Sequence, residues 1–168
     1  MRHRAVAASI AAVAAVLAVA GGCAGTAGAA TTCAWGGTPA DPTGTFALTG
    51  QPLTNTPSTG PLPFTATGPL AGGCKGTFTF RGRFDAGSNC NFGTFEGTAI
   101  GLPGVVRFAG EGAAGILPSR LYGPSGDVVG LENPHFYTIA NAPRFIDCNT
   151  PQGLKGGNFS SVIELFGS

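Results

Sequence analysis

Hydrolysis through a serine needs a nucleophile, a base within hydrogen-bond reach, an orienting carboxylate and donors for the oxyanion. In this chain the base is the scarce part. Beyond His3 near the start, the only imidazole is His135, in Asn133-Pro134-His135-Phe136-Tyr137, so any Ser-His-Asp mechanism would run through it. The serines to consider are Ser58, Ser88, Ser119, Ser125, Ser160 and Ser161, and none stands in G-x-S-x-G. The nearest approach is Gly123-Pro124-Ser125-Gly126-Asp127, which lacks the second glycine and lies between two strand patterns instead of at a strand-to-helix elbow. The candidate set is therefore Ser125 as nucleophile, His135 as base and Asp127 or Asp147 as orienter. Against it stands a plainer reading, with Ser125 as a turn serine and His135 as a loop histidine beside a strand.

Paired carboxylates could do acid and base work on glycosides, but sequence alone pairs none of Asp41, Asp85, Glu96, Glu111, Asp127, Glu132, Asp147 and Glu164. Glu96 falls on the polar face of an expected hairpin with Arg81 and Arg83, which reads as cross-strand ion pairing. Trp35 could stack on a sugar or sterol ring, or plug the end of a core. There is no C-x-x-C pair, so the tetrahedral Cys/His zinc patterns lack spacing support. Gly72-Gly73 and Gly156-Gly157 form no phosphate loop. Asn158-Phe159-Ser160 matches a glycosylation sequon, read as coincidence behind a bacterial-looking export signal.

The elements that must position these residues follow from composition. Of 168 residues 29 are Gly and 13 Pro, a quarter of the chain, while charged residues make up 10%, hydrophobic ones 43%, and the net charge is +1. This excludes a basic nucleic-acid binder and a highly charged disordered chain. The clearest alternation is Thr77 to Phe84, with Phe78, Phe80 and Phe84 on one face and Thr77, Thr79, Arg81 and Arg83 on the other. Asp85 to Asn89 supplies turn chemistry, and Phe92 to Ile100 answers as the partner strand. Further strands are expected at Thr45–Thr49, Leu62–Thr67, Val105–Ala109, Ile116–Tyr122, Val128–Leu131, Phe136–Ile139, Arg144–Cys148 and Phe159–Phe166, with Asp41 to Pro63 readable as an extended lead-in. Gly-x-Phe pairs recur without a fixed period. The expected fold is all-β: one antiparallel barrel or sandwich of about 8–10 short strands, the barrel having no exposed edges.

Residues 1–30 read as a signal peptide. Arg2 and Arg4 precede sixteen residues that are Ala, Val, Ile or Leu apart from Ser9, and Ala27-Gly28-Ala29-Ala30 offers a cleavage site. The apolar run falls short of the roughly 20 residues of a membrane span. Val19-Ala20-Gly21-Gly22-Cys23 resembles a lipobox, so the alternative to a secreted product is a lipid anchor at Cys23. Residues 31–168 then form a single exported domain, with Cys33, Cys74, Cys90 and Cys148 giving two disulfides. One strand between Cys74 and Cys90 would hold them tens of ångströms apart at about 3.3 Å per residue, against the ~6 Å that a disulfide tolerates between Cα atoms. Two pairings remain, and the reading leans to Cys33–Cys74 with Cys90–Cys148.

The segments Cys33-Ala34-Trp35-Gly36-Gly37-Thr38-Pro39-Ala40-Asp41-Pro42-Thr43-Gly44, Gly101-Leu102-Pro103-Gly104-Val105 and Gly157-Asn158-Phe159-Ser160-Ser161-Val162-Ile163-Glu164-Leu165-Phe166 carry a resemblance across nearly the whole exported domain. They resemble a group of small secreted actinobacterial proteins, some named cholesterol esterase. The resemblance implies an extracellular enzyme that hydrolyses sterol or fatty-acyl esters, with no metal and no organic cofactor. It carries no motif onto particular positions, and the missing G-x-S-x-G separates the chain from α/β-hydrolase esterases. The residues by themselves favour a second expectation, a non-catalytic extracellular β domain that binds a small apolar ligand or a protein partner.

Overall fold

A computed structural model describes residues 28–112, 117–135 and 147–167, with His135 described through its backbone alone. The leader assigned to residues 1–30 falls, up to residue 27, outside the described residues, as do Cys23 and the strand expected at Phe136–Ile139. The described chain is all-β. Its strands are β1 (Thr31–Trp35), β2 (Gly37–Thr38), β3 (Asp41–Pro42), β4 (Gly44–Leu48), β5 (Leu62–Gly72), β6 (Gly76–Phe84), β7 (Gly93–Ile100), β8 (Arg107–Gly112), β9 (Ser119–Tyr122), β10 (Val128–His135) and β11 (Gly156–Leu165). Asp147–Asn149 forms a single 3-10 turn where a strand through Cys148 was expected.

Antiparallel neighbours follow chain order from β4 to β11, and pairing of β11 with β4 closes an eight-stranded barrel, settling the choice between barrel and sandwich. β1 and β4 share one position in the wall, end to end between β11 and β5. Trp35 stands opposite Leu70 and Ser161, whereas Thr45, ten residues on, stands opposite Thr67 and Asn158, only three residues back. The seven surplus residues, 37–43, leave the wall as the small β2–β3 hairpin. Gly36 makes the joint: its carbonyl accepts from Thr43 and Gly44 N–H at 2.8 and 3.0 Å, and its N–H donates to Pro69 O at 2.9 Å. With φ at +74° and Gly44 Cα 2.9 Å from where a Cβ would sit, this position requires glycine.

An eight-stranded barrel has an interior just wide enough for side chains, so its filling must alternate large with small. The registers show how this sequence does so. Phe78 faces Gly68 across the strands, Phe64 faces Gly82, Phe108 faces Gly97, Phe95 faces Gly110, Phe159 faces Gly44 and Leu121 faces Gly130. A Cβ on Gly82 would lie 2.7 Å from the Phe108 ring, and one on Gly110 2.6 Å from the Phe95 ring. The loosely recurring Gly-x-Phe pairs are the trace of this arrangement. Phe80 and Phe108 stack with centroids 3.7 Å apart, and Trp35 meets Phe78, Phe80 and Phe159 at 4.5 to 5.0 Å. Trp35 is thus a core plug, with its indole N–H donating to Phe78 O at 2.9 Å.

The β5–β6, β7–β8 and β9–β10 turns gather at one end of the barrel, and the longer β4–β5, β6–β7 and β10–β11 connections at the other. Cys33–Cys74, with Cα atoms 5.3 Å apart, ties β1 to the short-turn end. Cys90–Cys148, at 6.1 Å, joins the β6–β7 and β10–β11 connections, and a Leu53–Leu154 bridge holds the β4–β5 connection to the latter. Each disulfide adds about 2–4 kcal/mol by restricting the unfolded chain. On the outer face Arg83 pairs with Glu96 at 2.7 Å across the hairpin, as expected, but with both side chains about half exposed it contributes little.

Candidate functional site

The four candidate residues do not converge. Ser125 Oγ donates to Asp127 Oδ2 at 2.7 Å in the exposed β9–β10 turn, at the short-turn end. His135 ends β10 at the opposite end of the barrel. The eight-residue strand between turn and histidine spans roughly 25 Å at about 3.3 Å per residue, beyond the reach of any side chain. The expected grouping of Ser125 with His135 is therefore not made, and Ser125 with Asp127 is a local turn contact. Asp147 lies at the long-loop end, where its carbonyl accepts from Thr150 Oγ1 at 2.8 Å and Thr150 N–H at 3.0 Å, beside disulfide-bonded Cys148.

A different polar group lies inside the wall. Ser119, the first residue of β9, stands directly opposite Glu132 of β10, at a place where neighbouring pairs set a bulky residue against glycine. Both are buried, Glu132 being 2% exposed. Ser119 Oγ donates to Glu132 Oε2 at 2.6 Å, and Ser161 Oγ of β11 donates to Oε1. Burial pushes the carboxyl up to about 7, with the two serine hydroxyls pulling the other way. Around it the interior is apolar: a void of about 20 Å³, room for one water, is bounded by Glu132, Pro134, Leu117, Trp35 and other core rings.

On the outer side of the same wall, β8, β9 and β10 carry a groove of about 740 Å³, where Ala109, Pro118, Tyr122 and Leu131 supply apolar surface. β9 is four residues long, and β8 and β10 both run on past their pairings with Ser119. Arg107 lies over the Tyr122 ring at 4.5 Å and steadies it. Among the described residues no group of three or more His, Cys, Asp and Glu could hold a metal, and no helix is long and apolar enough to cross a membrane.

Glu132, Ser119 and Ser161 each appear among the serines and carboxylates of the sequence, yet nothing there joins them. The register of β10 on β9 shifts between Val128 and Gly130, and this bulge re-aims the side chains beyond it. Leu131 consequently faces out at 43% exposure and Glu132 faces in, the reverse of what their polarity suggests. No family model matches the chain, and no curated protein or solved structure matches it either.

Proposed function

We propose that the chain is an exported β-barrel that binds a small, mainly apolar molecule in the groove over β8, β9 and β10. The groove itself carries this reading. Its volume of about 740 Å³ is that of a small-molecule site, and Ala109, Pro118, Tyr122 and Leu131 give it apolar sides within an exposed rim of Glu111, Arg120 and Asn133. The barrel interior is filled by aromatic rings, so the wall and not the lumen offers space. Two disulfides suit an oxidising compartment outside the cytoplasm.

Ester hydrolysis is the second reading, favoured by one observation besides the resemblance to proteins named cholesterol esterase. The Ser119 hydroxyl is held 2.6 Å from a carboxyl whose pKa of about 7 suits a general base. On this reading Ser119 replaces Ser125 as nucleophile, and Glu132 replaces His135 as base.

Calorimetric titration of the purified protein with 1-dodecanol, alongside Leu131→Asp, tests the binding reading. Leu131 is partly exposed on the groove side, so the new carboxylate leaves the core alone. Binding that weakens at least tenfold in the variant is the expected outcome. No binding to the wild type, or equal binding by both proteins, would overturn it. Turnover of a chromogenic fatty-acyl ester that disappears in Ser119→Ala would replace it with the hydrolase reading.

A further inference from the structure

We infer that the groove takes an apolar carboxylic acid in its ionised form, with Arg120 holding the carboxylate and the apolar sides holding the chain. The inference rests on the groove being the ligand site and names the class of molecule it takes.

One row of residues across the outer face of the wall carries the argument. In register from β6 to β11 it reads Arg83, Glu96, Ala109, Arg120, Leu131 and Glu164. Opposite charges that face each other directly in such a row can pair, and Arg83 and Glu96 do so at 2.7 Å. Arg120 has no such neighbour. Ala109 separates it from Glu96, which Arg83 already holds, and Leu131 separates it from Glu164. Two strand spacings of about 4.8 Å set the backbones of Arg120 and Glu164 roughly 10 Å apart. Among the described residues Arg120 therefore has neither an ion pair nor a side-chain hydrogen bond, although it lines the groove and is exposed there.

A guanidinium set between two apolar side chains presents a planar fork of N–H donors, which matches the two oxygens of a carboxylate. Tyr122, two residues along β9 on the same face, offers a further donor, since its hydroxyl makes no hydrogen bond with a described residue. Arg107 lies over the Tyr122 ring at 4.5 Å and holds it in place. The remaining charge at the groove is Glu111, two residues beyond Ala109 on β8 and past the end of β9. Its carboxylate repels an anion at that end, so the ligand head lies towards Tyr122 and the chain runs over Leu131 and Pro118. An alcohol of the same length meets the same apolar sides but leaves Arg120 without a counter-charge.

The test is calorimetric titration at pH 8 with dodecanoate and with 1-dodecanol. Dodecanoate is expected to bind the wild type roughly tenfold more tightly, the low end of what hydrogen bonds to a charged group contribute. Arg120→Gln, checked for folding by near-ultraviolet circular dichroism, is expected to bring dodecanoate to the level of the alcohol or below. The side chain is exposed, so the exchange leaves the core alone. A preference for dodecanoate below about threefold in the wild type would overturn the inference while leaving the groove as a ligand site. Failure of both probes to bind would remove the site and the inference together. A preference that persists undiminished in Arg120→Gln would overturn the role given to Arg120.

Discussion

Trp35→Ala is expected to cost the barrel about 4 kcal/mol, from the range typical of a buried Trp or Phe truncated to Ala. The side chain is 1% exposed and is held by three rings belonging to two other strands, so its loss leaves a void that no single neighbour can fill. It also removes the indole N–H from Phe78 O, leaving a buried carbonyl with one partner fewer. Trp35→Phe separates these effects, since it keeps aromatic volume and deletes the donor, at an expected cost of about 1–2 kcal/mol. Guanidinium unfolding followed by far-ultraviolet circular dichroism reads both. A loss below about 1 kcal/mol in Trp35→Ala would show that the ring does not sit at the centre of the core.

The second large effect is a dependence of stability on pH. Glu132 carries a folded-state pKa of about 7 against an ordinary value of 4.5, and burial is the main cause. Below the ordinary value the carboxyl is protonated in both states and costs nothing. Between the two values the folded chain holds a proton that the unfolded chain has released, so stability falls as pH rises. Above the folded value the full penalty applies, about 3 kcal/mol for this separation. Glu132→Gln, uncharged throughout, has no such slope. The difference in unfolding free energy between variant and wild type is therefore expected to move by about 3 kcal/mol in favour of the variant from pH 4.5 to pH 8. A pH-independent difference would place the carboxylate in water.

The strands that were legible in the sequence are those with a regular face. Phe78, Phe80 and Phe84 alternate with Thr and Arg without interruption, and β6 with its partner β7 lies within one residue of expectation. Proline hid the ends of two others. β5 was expected to end at Thr67 and β10 at Leu131, yet they run on through Pro69 and Pro134. Proline lacks the N–H that a ladder uses, so it reads as a terminator, but both stand where a neighbour is missing. Pro69 lies at the joint between β1 and β4, and Pro134 lies beyond the end of β9. β1 carries little strand signal, since its five residues show only one clear alternation, Cys33 with Trp35.

The site was less legible than the fold for the same kind of reason. A single bulge at Val128–Gly130 sets which face Glu132 takes, and polarity alone points the wrong way. Ser161 reaches that carboxyl only because β11 lies beside β10, a long-range pairing with no local signature. The spacing of Ser125 and Asp127 encodes a turn. His135 is the scarce residue, and scarcity says nothing about where a residue will lie.

Central to the pH dependence is a proton-bearing carboxyl enclosed in the barrel wall between two serines. Carbon-13 labelling of the side-chain carboxyls of the four glutamates, followed by NMR titration from pH 3 to pH 9, observes it directly. One resonance, absent from Glu132→Gln, is expected to titrate with a midpoint near 7. A Glu132 midpoint near its ordinary value of 4.5 would contradict the enclosed carboxyl.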